Sequence, residues 1–329
     1  MKTIKKLSLA VFSASLLFGC ASQEREPYVV GVAQIVSHTS LNTIRDSFTK
    51  QMEDLGYVEG ETIRFEYADA SNQQSNLHSI MNQFQQEQSD VIVAIATPTA
   101  QAAARVAEKT PVVFSAVSDP IGAKLVDSLE HPSYNITGTC DEVAVDQIFD
   151  LALSIDPSIQ TIGFLYNAAE ANSIANLKKA KVYCEKRGLD LIEQTGKDMT
   201  ELQTVATQLI SKVDILFAPN DNTVASCMPS LSKLCLEQKV PFYTGADSMV
   251  MDGGFATVGM DYKDLGKETA NMVDQILKGK AVDEIPVKVF DKDLNIYVNQ
   301  EILDSLELEL PEAIQTNKRL VFIGGEEDV

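Results

Sequence analysis

The chain has 329 residues, 45% of them hydrophobic, and carries 27 Lys and Arg against 47 Asp and Glu, a formal net charge of −20. So acidic a surface repels the phosphates of nucleic acids and anionic lipids, which argues against DNA or RNA binding. A chain of this length can bury a substantial core, and the length favours two domains.

The N-terminus has the pattern of a secretion signal. Lys2, Lys5 and Lys6 precede an apolar stretch over residues 7–18, which is too short to span a bilayer. The sequence Leu17-Phe18-Gly19-Cys20 follows directly and resembles a bacterial lipobox, in which the cysteine is acylated and becomes the mature N-terminus. Residues 1–19 are therefore predicted to be a lipoprotein signal peptide.

Cys20 is then the predicted lipidation site, and residues 20–27 form a short polar tether. Removal of the signal leaves 24 basic and 47 acidic residues, a net charge of −23. We expect the mature protein on the extracytoplasmic side, at the outer face of the cytoplasmic membrane or in the periplasm. The lipid would be its anchor, without a transmembrane helix.

The first half of the mature chain alternates predicted strands and helices. A strand over residues 28–36 is followed by a helix whose apolar stripe ends at Gly56, then by a strand at 63–67 and a helix at 73–88. Residues 91–96 have the β-branched content of a strand buried on both faces, and Thr97-Pro98-Thr99 begins a helix. Strands from Pro111 and at 136–139 complete this half.

The second half repeats the first. Strands beginning near Gly31, Asp90 and Pro111 recur near Gly163, Asp214 and Pro241, at offsets of 132, 124 and 130 residues. Three matches in the same order at nearly constant offset favour two similar α/β lobes over a solenoid, whose periods are far shorter. The predicted fold is α/β, with two Rossmann-like, doubly wound lobes of parallel strands.

The lobe boundaries follow from counting strand–helix units. The helix over residues 262–278 exceeds what the second lobe needs, so we expect it to return to the first lobe, with residues 286–298 crossing back. The predicted N-terminal lobe comprises residues 28–140 and 256–281. The C-terminal lobe comprises 141–255 and 282–314. Residues 320–323 could be a strand, but the tail at 315–329 has no assigned place.

Besides Cys20 the chain has four cysteines, Cys140, Cys184, Cys227 and Cys235. They show no Cys-x-x-Cys spacing and no neighbouring histidine, so no zinc site is predicted. We interpret all four as small core residues, with a disulfide from Cys140 as the alternative. Cys227 and Cys235 fall on one predicted helix, too far apart to bridge.

Several runs together resemble a known family. They are the lipobox, Gly-Val-Ala-Gln-Ile-Val-Ser-His-Thr at 31–39, Ile-Ala-Thr-Pro-Thr-Ala-Gln at 95–101, Val-Ser-Asp-Pro-Ile-Gly-Ala at 117–123, Tyr-Asn-Ala-Ala-Glu-Ala-Asn-Ser at 166–173 and Pro-Asn-Asp-Asn-Thr-Val at 219–224. Over roughly residues 28–314 the chain resembles bacterial ABC-transporter substrate-binding lipoproteins of the tryptophan/tyrosine-binding type. The resemblance implies the type I periplasmic-binding architecture, two lobes joined by three crossover segments. It also implies an aromatic or hydrophobic L-amino acid as ligand, with an ABC permease and ATPase as partners.

Polar residues at the predicted strand ends give a partly independent reason for an amino-acid ligand. Hydroxyls there suit a carboxylate and acids suit an ammonium group, so that both signs of charge meet in one cleft. For each acid the alternative is a turn or cap residue, and for each tyrosine it is core packing. The predicted ligand-binding residues are His38, Thr97, Thr99, Ser118, Asp119, Tyr166, Glu170, Asn172, Ser173, Asp221, Asn222, Thr223 and Asp247. Asp119 is the first choice for the ammonium group, and Asp247 the second.

Catalysis finds little support. The common nucleophile, metalloprotease and nucleotide motifs do not occur in the sequence. We therefore expect that the protein is not an enzyme and binds neither a cofactor nor a metal ion. We also expect it to be a monomer. A hydrolase or racemase using Asp119 or Glu170 is one alternative. A ligand sensor that docks a membrane receptor is another, because function resides in surfaces placed on a fold.

Overall fold

The structure is a computed structural model, and it describes residues 26–324. The predicted signal peptide, Cys20 and most of the tether therefore lie outside the described residues, as do residues 325–329. The first lobe begins with eight elements in chain order: β1 (Tyr28–Gln34), α1 (Thr39–Asp54), β2 (Ile63–Asp69), α2 (Gln74–Gln86), β3 (Val91–Ile95), α3 (Thr97–Ala103), β4 (Val112–Ser115) and β5 (Ile136–Cys140).

After residues 141–144 the chain enters the second lobe. Its elements are α4 (Val145–Ile155), β6 (Thr161–Tyr166), α5 (Ala171–Arg187), β7 (Asp190–Thr195), α6 (Met199–Ile210), β8 (Ile215–Ala218), α7 (Asn222–Ala225), α8 (Met228–Glu237), β9 (Phe242–Thr244), α9 (Asp247–Met251) and β10 (Ala256–Gly259). The one helix predicted to carry both Cys227 and Cys235 is thus wrong: α7 ends at Ala225, Cys227 is the N-cap of α8, and Pro229 lies in the first turn of that helix.

The chain then crosses twice more. The elements α10 (Tyr262–Leu277), a 3-10 helix (Val282–Glu284) and β11 (Lys288–Val289) pack on the first lobe. The elements β12 (Asn295–Asn299), α11 (Gln300–Ser305), α12 (Glu312–Gln315) and β13 (Leu320–Ile323) complete the second lobe.

The two sheets share one strand order, which confirms the predicted pair of similar α/β lobes. The first sheet runs β11-β5-β4-β3-β1-β2, and the second runs β13-β12-β10-β9-β8-β6-β7. Neighbouring strands are parallel except β10 and β12, so the expectation of fully parallel sheets is wrong at that pair. Asp90 Oδ2 accepts from the Val29 N–H at 2.8 Å, and Asp214 Oδ2 accepts from the Thr161 N–H at 2.8 Å. The repeated aspartates therefore fix equivalent strand starts in the two lobes.

The expected lobe boundaries need correction at three places. Residues 256–259 were assigned to the first lobe, but β10 pairs with β9 and β12 in the second sheet. Residues 282–289 were assigned to the second lobe, but β11 pairs with β5, and Thr137 Oγ1 donates to the Ile285 carbonyl at 2.6 Å. Residues 320–323, which had no assigned place, are β13 and pair with β12. A two-residue strand such as β11 leaves too little sequence pattern to be recognised.

Helix α10 does return to the first lobe as expected, where it packs closely on α1. Gly266 allows the approach: a Cβ there would lie 2.3 Å from the Ile44 carbonyl oxygen, so any side chain would force the helices apart. Tyr28 Oη also donates to the Leu277 carbonyl at 2.9 Å. The segments at residues 141–144, 260–261 and 290–294 are thus the three crossings between the lobes.

Candidate ligand-binding site

A small cavity lies between the lobes. Both lobes and the first crossing contribute to its wall, which is formed by His38, Ser40, Leu41, Ala96, Thr97, Ala116, Asp141, Asn172, Asn220, Asn222, Ala225, Met249 and Tyr262. The elements that carry these residues begin mostly at the carboxyl ends of strands, where ligands bind in open α/β sheets.

Two alanines in the wall have strained backbone. Ala96 follows β3 with φ 77°, and Ala116 follows β4 with φ 57°, both in the left-handed region that residues with a Cβ rarely adopt. Each costs roughly 1–3 kcal/mol, and such strain concentrates at functional sites. Beside Ala96, the buried Thr97 Oγ1 has no hydrogen-bond partner among residues 26–324.

Asp141 presents a buried carboxylate to the cavity. Its Oδ1 accepts from Ser118 Oγ at 3.0 Å, and its Oδ2 accepts from Tyr262 Oη at 2.9 Å and from Asn220 Nδ2 at 2.6 Å. Burial raises the pKa of Asp141 to about 6, although these donors oppose the rise. Three donors hold the carboxylate in place, and a bound cation would favour its charged form.

Glu170 lies behind the wall and orders α7. Its Oε2 accepts from the N–H and Nδ2 of Asn222 at 3.1 and 2.6 Å, and from Asn172 Nδ2 at 3.4 Å. Its Oε1 accepts from the N–H and Oγ1 of Thr223 at 3.1 and 3.0 Å. Because both oxygens receive protein donors, the role of Glu170 is to position Asn222 at the cavity.

Asp221 is the N-cap residue of the same helix, α7. It accepts from the N–H groups of Val224 and Asn167 at 2.9 and 2.7 Å and from Ser173 Oγ at 2.6 Å. Burial and the nearby charge of Glu170 raise the pKa of Asp221 well above its ordinary value. The two acids form a buried support beneath α7.

His38 and Asn222 meet across the two lobes. His38 Nε2 lies 3.4 Å from Asn222 Oδ1, and both side chains line the cavity. Burial lowers the pKa of His38 to about 4, although Asn222 and the charge of Asp69 raise it slightly. The imidazole is therefore neutral at physiological pH.

The structure brings some predicted site residues together and separates others. His38, Thr97, Asn172 and Asn222 line the cavity. Ser118 donates to Asp141, and Glu170 accepts from Asn172 and Asn222. Ser173, Asp221 and Thr223 belong to the hydrogen-bonded support of α7 behind the wall. Thr99, which is buried, does not line the cavity.

Three predicted residues are misplaced. Asp119 is exposed, and its Oδ1 accepts from the Gly122 N–H at 2.8 Å, so the turn interpretation holds for it. Tyr166 packs against Phe164, and its hydroxyl donates to Glu193 at 3.3 Å. Asp247 is buried at the start of α9, where its Oδ1 accepts from the Ser248 N–H at 2.7 Å. None of the three lines the cavity, which corrects both preferred choices for the ammonium receptor.

Sequence reasoning missed nine wall residues: Ser40, Leu41, Ala96, Ala116, Asp141, Asn220, Ala225, Met249 and Tyr262. A signal existed for Asp141, which follows β5 as Thr97 follows β3, and for Asn220, which precedes the predicted Asp221. Tyr262 opens the helix after a crossing, and no strand-end rule points to it.

Other kinds of site find no support within residues 26–324. No group of three or more His, Cys, Asp or Glu side chains there could hold a metal ion. None of the helices in that part of the chain has the length and apolar character needed to cross a bilayer. The four cysteines that the structure describes are free and buried, as expected of core residues.

Comparisons with known proteins agree with this architecture. Residues 29–321 match a family model described as ABC transporter substrate binding protein. The chain is 32% identical over 325 residues to a tyrosine-binding protein of Clostridioides difficile strain R20291, covering 94% of each chain.

Two solved structures are similar as well. One is an ABC domain in complex with L-Trp from Streptococcus pneumonia, with 34% identity and a TM-score of 0.83, covering 89% of this chain and 99% of that one. The other is a ligand-free, open substrate-binding protein with adhesive properties from Clostridium difficile, with 36% identity and a TM-score of 0.68, covering 90% and 99%. At nearly equal identity, the TM-score is higher for the ligand complex than for the ligand-free, open structure. The chain belongs to the family of ABC transporter substrate-binding proteins.

Proposed function

We propose that this protein captures an aromatic L-amino acid in the cavity between its lobes and delivers it to the permease of an ABC transporter. The observation that carries the proposal is the buried carboxylate of Asp141 in the cavity wall. A buried charge is costly unless it is paired, and the ammonium group of an amino acid supplies the missing positive partner.

Other wall groups fit the rest of a zwitterionic ligand. Asn172 Oδ1 has no partner within the described residues, and as a pure acceptor it suits the same ammonium group. Thr97 Oγ1, also unpaired there, is a donor for the ligand carboxylate. Leu41, Ala225 and Met249 supply apolar wall for a side chain. The relatives, which include a tyrosine-binding protein and a complex with L-Trp, favour an aromatic side chain.

The proposal extends to location and partners. The lipobox-like run ending at Cys20 supports a lipid anchor on the extracytoplasmic side. A monomer whose lobes close on the ligand would dock the permease, with the ATPase on the other side of the membrane. The ligand is bound and released unchanged, because Asp141 and His38 are held by neighbours and serve as partners for ligand groups.

The test compares two aspartates by calorimetric titration. Residues 21–324 of wild type, Asp141→Asn and Asp119→Asn are titrated with L-tyrosine, L-tryptophan and their des-amino analogues. Removing one partner of a buried charge pair costs roughly 2–5 kcal/mol, so Asp141→Asn should weaken amino-acid binding at least about thirtyfold. Its preference for the amino acid over the des-amino analogue should shrink as well.

Asp119→Asn is the matched control, because its carboxylate is exposed and caps only its own turn. It should bind within about twofold of wild type. Asp141→Asn binding with wild-type affinity would contradict the assignment of the ammonium site. Wild type binding none of the aromatic amino acids would contradict the proposed ligand class.

A further inference from the structure

The orientation of the Asn222 amide is fixed by its neighbours. One side-chain atom of Asn222 lies 2.6 Å from Glu170 Oε2, and a carboxylate oxygen there can only accept. The atom facing Glu170 is therefore the NH₂ group, and the Asn222 N–H donates to the same oxygen at 3.1 Å. It follows that the amide oxygen, Oδ1, is the atom turned toward His38.

This orientation determines the tautomer of His38. Asn222 Oδ1 can only accept, so His38 Nε2, 3.4 Å away, must carry the hydrogen. A neutral imidazole with its hydrogen on Nε2 leaves a lone pair on Nδ1. Burial keeps the ring neutral, since it lowers the pKa of His38 to about 4.

The lone pair on Nδ1 is buried and unused. Within residues 26–324 the atom has no hydrogen-bond partner, although His38 precedes α1 and lines the cavity. A buried acceptor without a donor carries a free-energy cost, because it has lost its hydrogen bonds to water. A ligand that donates a hydrogen bond to Nδ1 removes this cost and therefore binds more tightly. A ligand without such a donor leaves Nδ1 unpaired.

We propose that His38 Nδ1 accepts a hydrogen bond from the ligand's ring, so that the site selects aromatic amino acids whose ring carries a donor. The phenol O–H of tyrosine and the indole N–H of tryptophan qualify, and phenylalanine does not. This inference rests on the proposed function and narrows its ligand class. Asp141, which follows β5 and accepts from Asn220 of the second lobe, is the proposed receptor for the ligand's ammonium group, and we assign His38 to the ring.

The selection depends on both lobes. His38 belongs to the first lobe, whereas Asn222 and Glu170, which set its tautomer, belong to the second. The acceptor is therefore completed by closure. In an open form the imidazole of His38 would be free to change tautomer. Discrimination among the aromatic rings of different ligands would therefore arise only when the lobes close.

The experiment measures a ratio of affinities. Wild type, His38→Phe, His38→Gln and the control His78→Gln, at an exposed position of α2, are titrated with L-tyrosine, L-phenylalanine and 4-fluoro-L-phenylalanine. The last ligand has nearly the shape of tyrosine but no donor. Wild type and His78→Gln should favour tyrosine over both other ligands by roughly tenfold to a hundredfold.

In His38→Phe the tyrosine preference should fall to within about threefold, whereas His38→Gln, whose side-chain oxygen can accept, should restore part of it. A merely structural role would lower all three affinities together and leave the ratio unchanged, and that result would overturn the inference. Equal binding of the three ligands by wild type would also overturn it, without need of any variant. Failure of wild type to bind any aromatic amino acid would instead contradict the proposed function.

Discussion

Thr39 at the start of α1 donates from Oγ1 to Asp252 Oδ1, which lies just after α9 in the other lobe, at 2.9 Å. The next residue repeats the connection, because Ser40 Oγ lies 2.5 Å from Ser248 Oγ. Ser40 lines the cavity and Thr39 does not. Thr39 and Asp252 thus join the lobes beside the ligand site without forming its wall.

These contacts between the lobes can change the affinity for the ligand, although Thr39 and Asp252 do not line the cavity. The whole structure is more similar to the relative complexed with L-Trp than to the open relative, with TM-scores of 0.83 and 0.68. A bond made only when the lobes are together favours the closed form, and a ligand that needs the closed form gains the same free energy.

Thr39→Val should therefore weaken ligand binding while leaving the cavity wall unchanged. Loss of one hydrogen bond to a charged acceptor predicts about tenfold to a hundredfold weaker binding in calorimetry, mainly through faster dissociation. Solution scattering should also show a larger ligand-free radius of gyration than in wild type.

The matched control is Thr49→Val on the same helix. Thr49 Oγ1 contacts Tyr67 Oη at 2.8 Å within the first lobe, so its loss should alter neither affinity nor radius. If Thr39→Val binds ligand as wild type does, the contact makes no contribution to closure.

Much of the fold was predictable because duplication repeats local signals. Asp90 and Asp214 stand at equivalent offsets, and each fixes the start of a neighbouring strand, so the sequence match reflects a shared structural requirement. The place of β11 in the first sheet was not predictable, since a two-residue strand carries no periodicity of its own.

The site was predictable only in part, for a physical reason that Asp119 and Asp141 illustrate. Both follow strands of the first sheet, but Asp119 turns outward to cap the Gly122 N–H, whereas Asp141 turns inward to three donors. Two of those donors, Asn220 and Tyr262, come from distant parts of the chain. Strand-end position is local information, and the direction of the side chain is decided by tertiary partners.

Membrane attachment depends on one atom in the proposed lipoprotein. Cys20→Ser removes the thiol that the lipid requires, so the variant should leave the membrane fraction or accumulate unprocessed. Cys184→Ser is the control, because that cysteine is buried in the second lobe. A Cys20→Ser protein that fractionates and migrates as wild type would show that the chain is not anchored in this way.

Glu170→Gln should reduce both stability and affinity. The new NH₂ group would face donors of Asn222 and Thr223 that now bind a carboxylate oxygen, leaving donors unpaired in a buried place. We expect a loss of roughly 1–3 kcal/mol in urea unfolding of the ligand-free protein. Glu185→Gln, exposed on α5, should change neither quantity. Loss of affinity with unchanged stability would instead indicate that Glu170 contacts the ligand directly.

The raised pKa of Asp247 predicts that the free energy of unfolding depends on pH. Burial raises its pKa to about 7, and the charge of Asp261 acts in the same direction. Because the folded state holds this proton more tightly than the unfolded chain, the stabilising contribution is complete below about pH 4, the ordinary pKa of an aspartate. It is lost as the pH rises through about 7. Burial raises the pKa of Asp141 to about 6 and thus adds a similar loss at lower pH.

The variant Asp247→Asn isolates the first of these effects. An amide keeps an oxygen that can accept from the Ser248 N–H and carries no charge at any pH. In urea unfolding of the ligand-free protein, wild type should lose stability between about pH 4 and 7, and Asp247→Asn should lose less. At pH 8 the variant should be more stable by roughly 1–3 kcal/mol, whereas the exposed Asp190→Asn should follow wild type. If the free energy of unfolding varied with pH in the same way for wild type and Asp247→Asn, the pKa of Asp247 would not be raised by folding.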